Sequence, residues 1–485
     1  MKEIIENYVS SKIDENMMYV KKLFEGNSDM VFREFYIGNV KTSLVYIDGM
    51  VDKILINDLM RGLMTRSHYI KNENEIKDKL LTVSDVKELN DLENGINFIL
   101  SGETLMFVDG LSSFYIIATR LWPARSVSEP SSETVIRGSR DGFTETIRFN
   151  TALIRRRIRD TRLKMAYTRI GIRSKTDVVI VYIDDIVNKT ALSELKNRLN
   201  KIKIDAILDS GYVEQLIEDN KWSLFPQIQN TERPDVVASA VYEGRIAVLV
   251  DNSPSAIIVP TTMPNLFQSP DDYYQRWIYS SIVRIIRFIA MILSLVMPAF
   301  YVAVTSFHTG IIPNKLAYFI AASREGVPFS AFIEAIIMES SFALLLEAIS
   351  RLPKAIGATT GIVGGLIIGQ AAVQAGIVSP IMVIIVSITA ITSFTAPNYE
   401  ITTTFRIIRF LLIIAAAIVG FYGIMIGLIL TLIHLVRLKS FGVSYLSPMV
   451  SENLSDFKDM YFRIPINFFK KRPKYMGTED KIRQK

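Results

Sequence analysis

The chain has 485 residues, 49% of them hydrophobic and 21% charged, with a mean hydropathy of +0.26, too apolar for an ordinary soluble protein and too charged for a membrane bundle alone. It has no cysteine, which excludes disulfides, thiolate zinc sites and a cysteine nucleophile, and its three histidines, His68, His308 and His434, lack the paired spacing of a metal site. The net charge of +6 is concentrated at one end: residues 437–485 hold eleven Lys or Arg against five Asp or Glu, leaving 44 of each sign elsewhere, a balance suited to an anionic inner leaflet or a solvated cytoplasmic end and not to nucleic acid.

The opening MKEIIENYVSSKIDENMMYV mixes acidic with apolar residues and has no continuous apolar core, so it does not read as a signal peptide and the region after it is expected to be cytoplasmic. Amphipathic helical stretches and β-like runs such as VFREFYI and SLVYIDG fill the first 90 residues or so. TLMFVDG and SFYIIATR then read as a hairpin, and the Ser-, Pro- and Glu-rich residues 123–133 as a linker. Residues 137–160, RGSRDGFTETIRFNTALIRRRIRD, place Phe143, Ile147, Leu153 and Ile154 among arginines and predict an amphipathic helix with a basic face. DVVIVYIDDIV predicts a buried strand, ALSELKNRLNKI a helix, and RIAVLVDNSPSAIIVP two strands turning at Asp251-Asn252-Ser253-Pro254. The fold class expected is an α/β N-terminal soluble region of two small subdomains, residues 1–125 and 135–270, followed by an α-helical polytopic membrane domain.

That membrane domain is expected over residues 284–437. A crossing needs about 20 apolar residues. Residues 288–307 qualify, behind Arg284 and Arg287; the uncharged stretch between Lys354 and Glu400 is long enough for two crossings broken at Ser379-Pro380; and residues 410–433 supply another. Four crossings return the basic tail, 438–485, to the cytoplasmic side and leave Arg406 and Arg409 on the outside. A fifth segment, 329–349, carries Glu334, Glu339 and Glu347, and a charge at the bilayer centre costs about 2.5–3.5 kcal/mol on insertion scales. It is therefore expected to be re-entrant, interfacial or buried in an assembly.

Polarity at membrane depth marks the candidate site. At about 100° per residue Glu339 and Glu347 fall within about 80° of each other, with Glu334 about 140° from Glu339, so copies around a symmetric oligomer would form acidic rings of the kind that favour cations. The alternative is pairing with Lys315, Arg324, Arg351 or Lys354. Gly361, Gly365 and Gly369, four apart, form a ridge for close helix packing, while Gln370 and Gln374 form a polar stripe that lines a pore or bonds a neighbouring helix. The arginines at 155–159 either bind phosphate groups or make structural ion pairs, for instance with Asp184, Asp185 or another subunit. No nucleotide loop, nucleophile elbow or zinc motif occurs, so no enzyme activity and no cofactor are expected.

At residues 137–160 the string holding Arg140, Asp141, Gly142, Phe143, Asn150, Thr151, Arg155, Arg156 and Arg157 closely resembles the signature of GerA family A subunits, spore germinant-receptor proteins of endospore-forming bacteria. With SKTDVVIVYI and RIAVLVDNSPSAIIVP it looks most like the stage V sporulation protein AF branch, and the likeness extends through YFIAASREGVPFSAF to the tail. The resemblance implies the spore inner membrane, a cytoplasmic region of two α/β subdomains, homo-oligomeric channels that release ions during germination, and other germination proteins as partners. The competing expectation is a non-conducting scaffold that recruits those proteins.

Overall fold

The computed structural model describes residues 9–65, 86–121, 129–130, 133–353, 357, 361, 364–365, 369–450 and 454–484. The chain forms two compact units: Met1–Asp219, Ile228–Pro260 and Phe469–Lys485 make the first, Asn220–Gln227 and Thr261–Phe468 the second. As expected, the first is α/β and the second helical.

The first unit repeats one topology twice. Its first subdomain runs α1 (Ile13–Leu23), β1 (Met30–Ile37), β2 (Val40–Ile47), α2 (Lys53–Thr65), β3 (Val86–Leu89), α3 (Leu92–Leu100), β4 (Thr104–Val108) and β5 (Phe114–Ile117), an antiparallel sheet in the order β1-β2-β4-β5-β3. The second runs α4 (Ile147–Arg157), β6 (Leu163–Ile170), β7 (Thr176–Ile183), α5 (Lys189–Lys201), α6 (Ser210–Ile217), β8 (Gln229–Thr231), α7 (Pro234–Tyr242), β9 (Ile246–Val250) and β10 (Ala256–Val259), ordered β6-β7-β9-β10-β8. Each sheet is covered on both faces, which is why its central strands read as unbroken apolar runs. Val179, Val181 and Leu249 face Ile154, Val237 and Val241 of α4 and α7, while the alternate residues Val178, Ile180 and Val248 are buried on the opposite face. In the first subdomain Val45, Leu105 and Phe107 meet α1 and α3, and Leu44, Met106 and Tyr115 meet α2.

The repetition extends to single bonds. Asn16 accepts from the Ser10 N–H at 2.9 Å and donates to the Ser10 carbonyl at 2.7 Å; Asn150 does the same with Thr144 at 2.8 and 2.6 Å. Asp109 accepts the first N–H of α1, that of Ile13, at 3.0 Å, and Asp251 accepts the first N–H of α4, that of Ile147, at 3.1 Å. A helix start leaves its N–H groups without intrahelical partners, and in both subdomains the turn after a central strand supplies one.

The helix expected across 137–160 is confined to Ile147–Arg157. The Asn150 clamp holds the preceding turn out of helical geometry, and the Phe143 N–H donates to the Glu232 carbonyl at 2.8 Å. The linker at 123–133 lies mostly outside the described residues.

The basic tail ends in the first unit. Met476 and Thr478 are buried, Asn188 donates to the Met476 carbonyl at 3.2 Å, and the Glu479 and Asp480 N–H groups donate to the Ile186 and Asp185 carbonyls at 3.2 and 3.1 Å. Residues 469–485 are thus a packed strap on the second subdomain, and the subdomain's other boundary falls at Pro260, since Thr261 onward belongs to the helical unit.

That unit holds α8 (Met263–Phe267), α9 (Asp271–Tyr274), α10 (Trp277–Ser306), α11 (Asn314–Arg324), α12 (Ala331–Ser350), α13 (Pro380–Ser393), α14 (Tyr399–Val419) and α15 (Phe421–Arg437), with a small β11–β12 turn of Lys439–Ser440 and Val443–Ser444 behind them. Among the described residues α10 and α14 are long and apolar enough to cross a membrane; α13 and α15 are apolar but shorter. The core joins Met291, Ala299, Val302, Ala335, Met382, Leu412 and Ala416. The acidic segment is one continuous helix of 20 residues, with Glu334 and Glu339 buried in the bundle. One element differs from expectation. The apolar stretch 410–433 is broken at Gly420, whose φ is +61°, a conformation glycine adopts at little cost. A side chain at Gly423 would collide with the Ala415 carbonyl, so α15 folds back closely on α14.

Candidate functional site

The three carboxylates of α12 have three different environments. Glu334 is fully buried, accepts from Arg324 Nε at 3.1 Å and takes the Ser379 N–H at 2.8 Å. Glu339, also buried, lies 3.5 Å from Arg409 Nε; Glu339 Oε1 and Arg409 Nε have no hydrogen-bond partner. A cavity of about 10 Å³ adjoins them, lined by Ser393, Arg406 and apolar residues of α12 and α13, room for roughly one water. Glu347 is exposed and bonds Arg351 at 2.5 Å. Within one chain the carboxylates therefore do not converge on one face: two turn into the bundle and one outward. Arg324 and Arg351 were legible as partners; Arg409, not named as one from the sequence, sits inside the bundle against Glu339.

Gln370 and Gln374 are helical and exposed. A Cβ at Gly361 would meet Ile349 at 3.1 Å, and one at Gly369 would meet Val383 at 3.3 Å, but nothing lies within 4 Å of Gly365. Gly364 completes the close approach, with a Cβ there 2.8 Å from Leu345. Gly361 and Gly364, three apart, thus approach α12, while Gly369 approaches α13.

At the start of α10, Arg284 and Arg287 both bond the buried Asp272, at 2.8 and 3.0 Å, and Arg284 also bonds Asp459 at 2.7 Å. Two arginines at the mouth of an apolar helix are thereby largely neutralised.

In the first unit the signature arginines are mainly structural. Arg155 grips Asp29 at two points, 2.7 and 2.8 Å, and reaches Asn27 at 2.9 Å. Arg157 bonds both oxygens of Asp141 at 2.5 and 2.6 Å and the Ser139 hydroxyl at 2.8 Å. Asp185 pairs instead with Arg162, and Asp184 with Lys189. Phe143, Asn150 and Thr151 are buried, as is Gly142, while Arg156 is exposed; exposed Arg140 pairs with Glu129 at 3.9 Å.

Beside the Arg155–Asp29 pair lies a cleft of about 480 Å³ lined by Ser28, Asp29, Val31, Asp48, Arg148, Tyr167, Thr168, Arg169 and Asp177. Arg148 pairs with Asp48 and Arg169 with Asp177 at 2.8 Å. Burial, reinforced by Asp29, pushes the Tyr167 phenol up, so it stays a neutral donor. The lining suits a small polar molecule carrying both signs of charge. Sequence reading missed it because its walls come from strands and loops of both subdomains. Beside β8, burial outweighs the Thr231 hydroxyl (2.5 Å) and the Arg233 charge, and raises the Glu133 carboxyl to about 7.

The family model described as Bacillus/Clostridium GerA spore germination protein matches residues 18–475. The chain is 42% identical over 482 residues to "Spore germination protein KA" of Bacillus subtilis (strain 168), covering 98% of this chain and 89% of that protein. It is 43% identical over 479 residues to "Uncharacterized membrane protein YfkQ" of the same organism, covering 98% and 93%. Among solved structures, the N-terminal domain of the A subunit of the Bacillus megaterium spore germinant receptor GerK3 is 35% identical, covers 52% of this chain and 96% of that one, and aligns with a TM-score of 0.42.

Proposed function

Because the chain belongs to the GerA family of spore germination proteins, we propose that it is a membrane subunit of the germination apparatus, of the germinant-receptor A type, in which the helical units of several copies enclose an ion-conducting path. The proposed seat is the spore inner membrane, with partners among its other germination proteins, and the role involves no catalysis and no cofactor.

The observation that carries this reading is Glu339 with Arg409: a loosely joined ion pair among apolar helices, each member with an atom lacking a hydrogen bond, beside space for about one water. Desolvating such groups costs several kcal/mol each, so stability alone is a poor reason to keep them. The exposed Gln370 and Gln374 offer the polar stripe that assembled copies would turn toward a shared axis. Because 469–485 rejoins the first unit, the helices between must cross an even number of times. Six passes, α10, α12, one through the helical residues Gly361, Gly365 and 369–374, α13, α14 and α15, meet that condition, and the common side of both ends is proposed to be the cytoplasmic one. The mixed-charge cleft of the first unit is the proposed ligand-sensing element.

The test is ion release and germination rate in spores carrying Glu339→Gln, Arg409→Gln and the double variant. Conduction requires altered ion release in the double variant, where no uncompensated charge remains to unfold the bundle. Unchanged release in a stably inserted double variant would favour the scaffold reading, under which residues 261–468 replaced by an unrelated anchor should preserve activity.

A further inference from the structure

Residues Asn220–Gln227 fall between α6 and β8 in sequence, yet they pack as part of the helical unit. Gln227 closes the loop on itself, accepting the Asn220 N–H at 2.9 Å and donating to the Asn220 carbonyl at 2.8 Å. Phe225, 3% exposed, is ringed by Phe405, His434 and Tyr445 with centroids 6.1–6.4 Å away. The Thr404 hydroxyl donates to the Leu224 carbonyl at 2.5 Å, and the Ser223 hydroxyl lies 2.9 Å from His434 Nε2. The loop is therefore held against the first turns of α14 and the last turn of α15.

On this rigid support Trp222 is 96% exposed and Leu224 45% exposed, beside exposed Lys221, and the Trp222 N–H is fixed by Asn220 Oδ1 at 3.1 Å. A fixed loop that presents a whole indole outward is poorly suited to water, since an aromatic side chain of this size carries about 150–250 Å² of burial area. Indoles concentrate where hydrocarbon meets headgroups, and Lys and Arg collect on the cytoplasmic side of that boundary. The same end of α14 and α15 carries Tyr399, 69% exposed, and exposed Arg437 and Lys439.

We propose that Asn220–Gln227 is a membrane-interface anchor: Trp222 and Leu224 enter the headgroup layer of the bilayer that holds α14 and α15, and Lys221 faces lipid phosphate. This rests on the reading that the helical unit is embedded in a bilayer. The chain has three tryptophans, so Trp122→Phe with Trp277→Phe leaves Trp222 as the sole reporter in the full chain. Reconstituted in phosphatidylglycerol–phosphatidylethanolamine vesicles, its emission should be blue-shifted from that of the denatured chain, quenched by lipids brominated near the headgroup, and protected from acrylamide. Emission like that of the denatured chain with full acrylamide access overturns the anchor, and so does protection from acrylamide without quenching by brominated lipid, which would mean a protein contact. Flotation with the vesicles after an alkaline wash separates the failures: a chain that floats with an unquenched Trp222 loses only the anchor, whereas one that is stripped off loses the membrane reading.

Discussion

Arg155 and Asp29, 126 positions apart, form a two-point ion pair whose side chains are 0% and 2% exposed. The pair bolts α4 of the second subdomain to the loop before β1 of the first. The same loop adds the Ser28 N–H donating to the Met165 carbonyl at 3.2 Å and Asn27 accepting from Met165 at 3.2 Å. Arg155→Ala strands Asp29 in a dry site and should destabilise the first unit by about 3–5 kcal/mol, whereas Arg155→Met with Asp29→Leu should recover most of the loss. Thermal unfolding of the purified chain distinguishes them; a single variant as stable as the parent would show that the pair does not join the subdomains.

The glycines separate into two kinds. Gly423→Ala forces α15 off α14, because its Cβ meets backbone that cannot move alone; membrane-inserted protein should fall sharply. Gly365 has open space, and Gly365→Ala should be neutral or raise stability by up to about 1 kcal/mol through helix propensity. A strong loss at Gly365 would reveal another copy packed there.

Removing residues 469–485 uncovers the site of Met476, 1% exposed, and frees the Ile186 and Asp185 carbonyls. Burying one such apolar side chain is worth about 1.5–3 kcal/mol. The truncated chain should expose the second subdomain to limited proteolysis while the helical unit stays protected; an unchanged digestion pattern would dismiss the strap.

Glu133 links the first unit to pH. Its folded pKa of about 7 exceeds the unfolded value near 4.5, so between those values the folded state binds more protons and stability must fall as pH rises. Below that window the group contributes no penalty; above it the full penalty remains. Glu133→Gln should flatten the pH dependence of the melting temperature by up to one proton's worth, most visibly between about pH 5 and 7. An identical slope in the variant would place the titration elsewhere.

Local patterns carried much of the architecture. The β4–β5 and β9–β10 hairpins, β7 and α5 follow from apolar runs and turn residues, which act over a few neighbours. The exact duplication of strand order was hidden, since Ser10 with Asn16 and Thr144 with Asn150 share a bonding geometry while their surrounding sequences diverge. At the site, Arg324 and Arg351 lie near enough in sequence to their glutamates to be named, whereas Arg409 for Glu339 was not.

By itself the sequence determined the composition break between a charged α/β region and an apolar helical one, and the family signature, because hydropathy and motif are properties of the chain. Only the tertiary structure decided which charges neutralise one another, that one apolar run turns back at Gly420, that a loop from the α/β region joins the helices, and that the basic tail returns to the first unit. Those outcomes depend on long-range packing, where the cost of an unpaired buried charge, and not proximity along the chain, selects the partner.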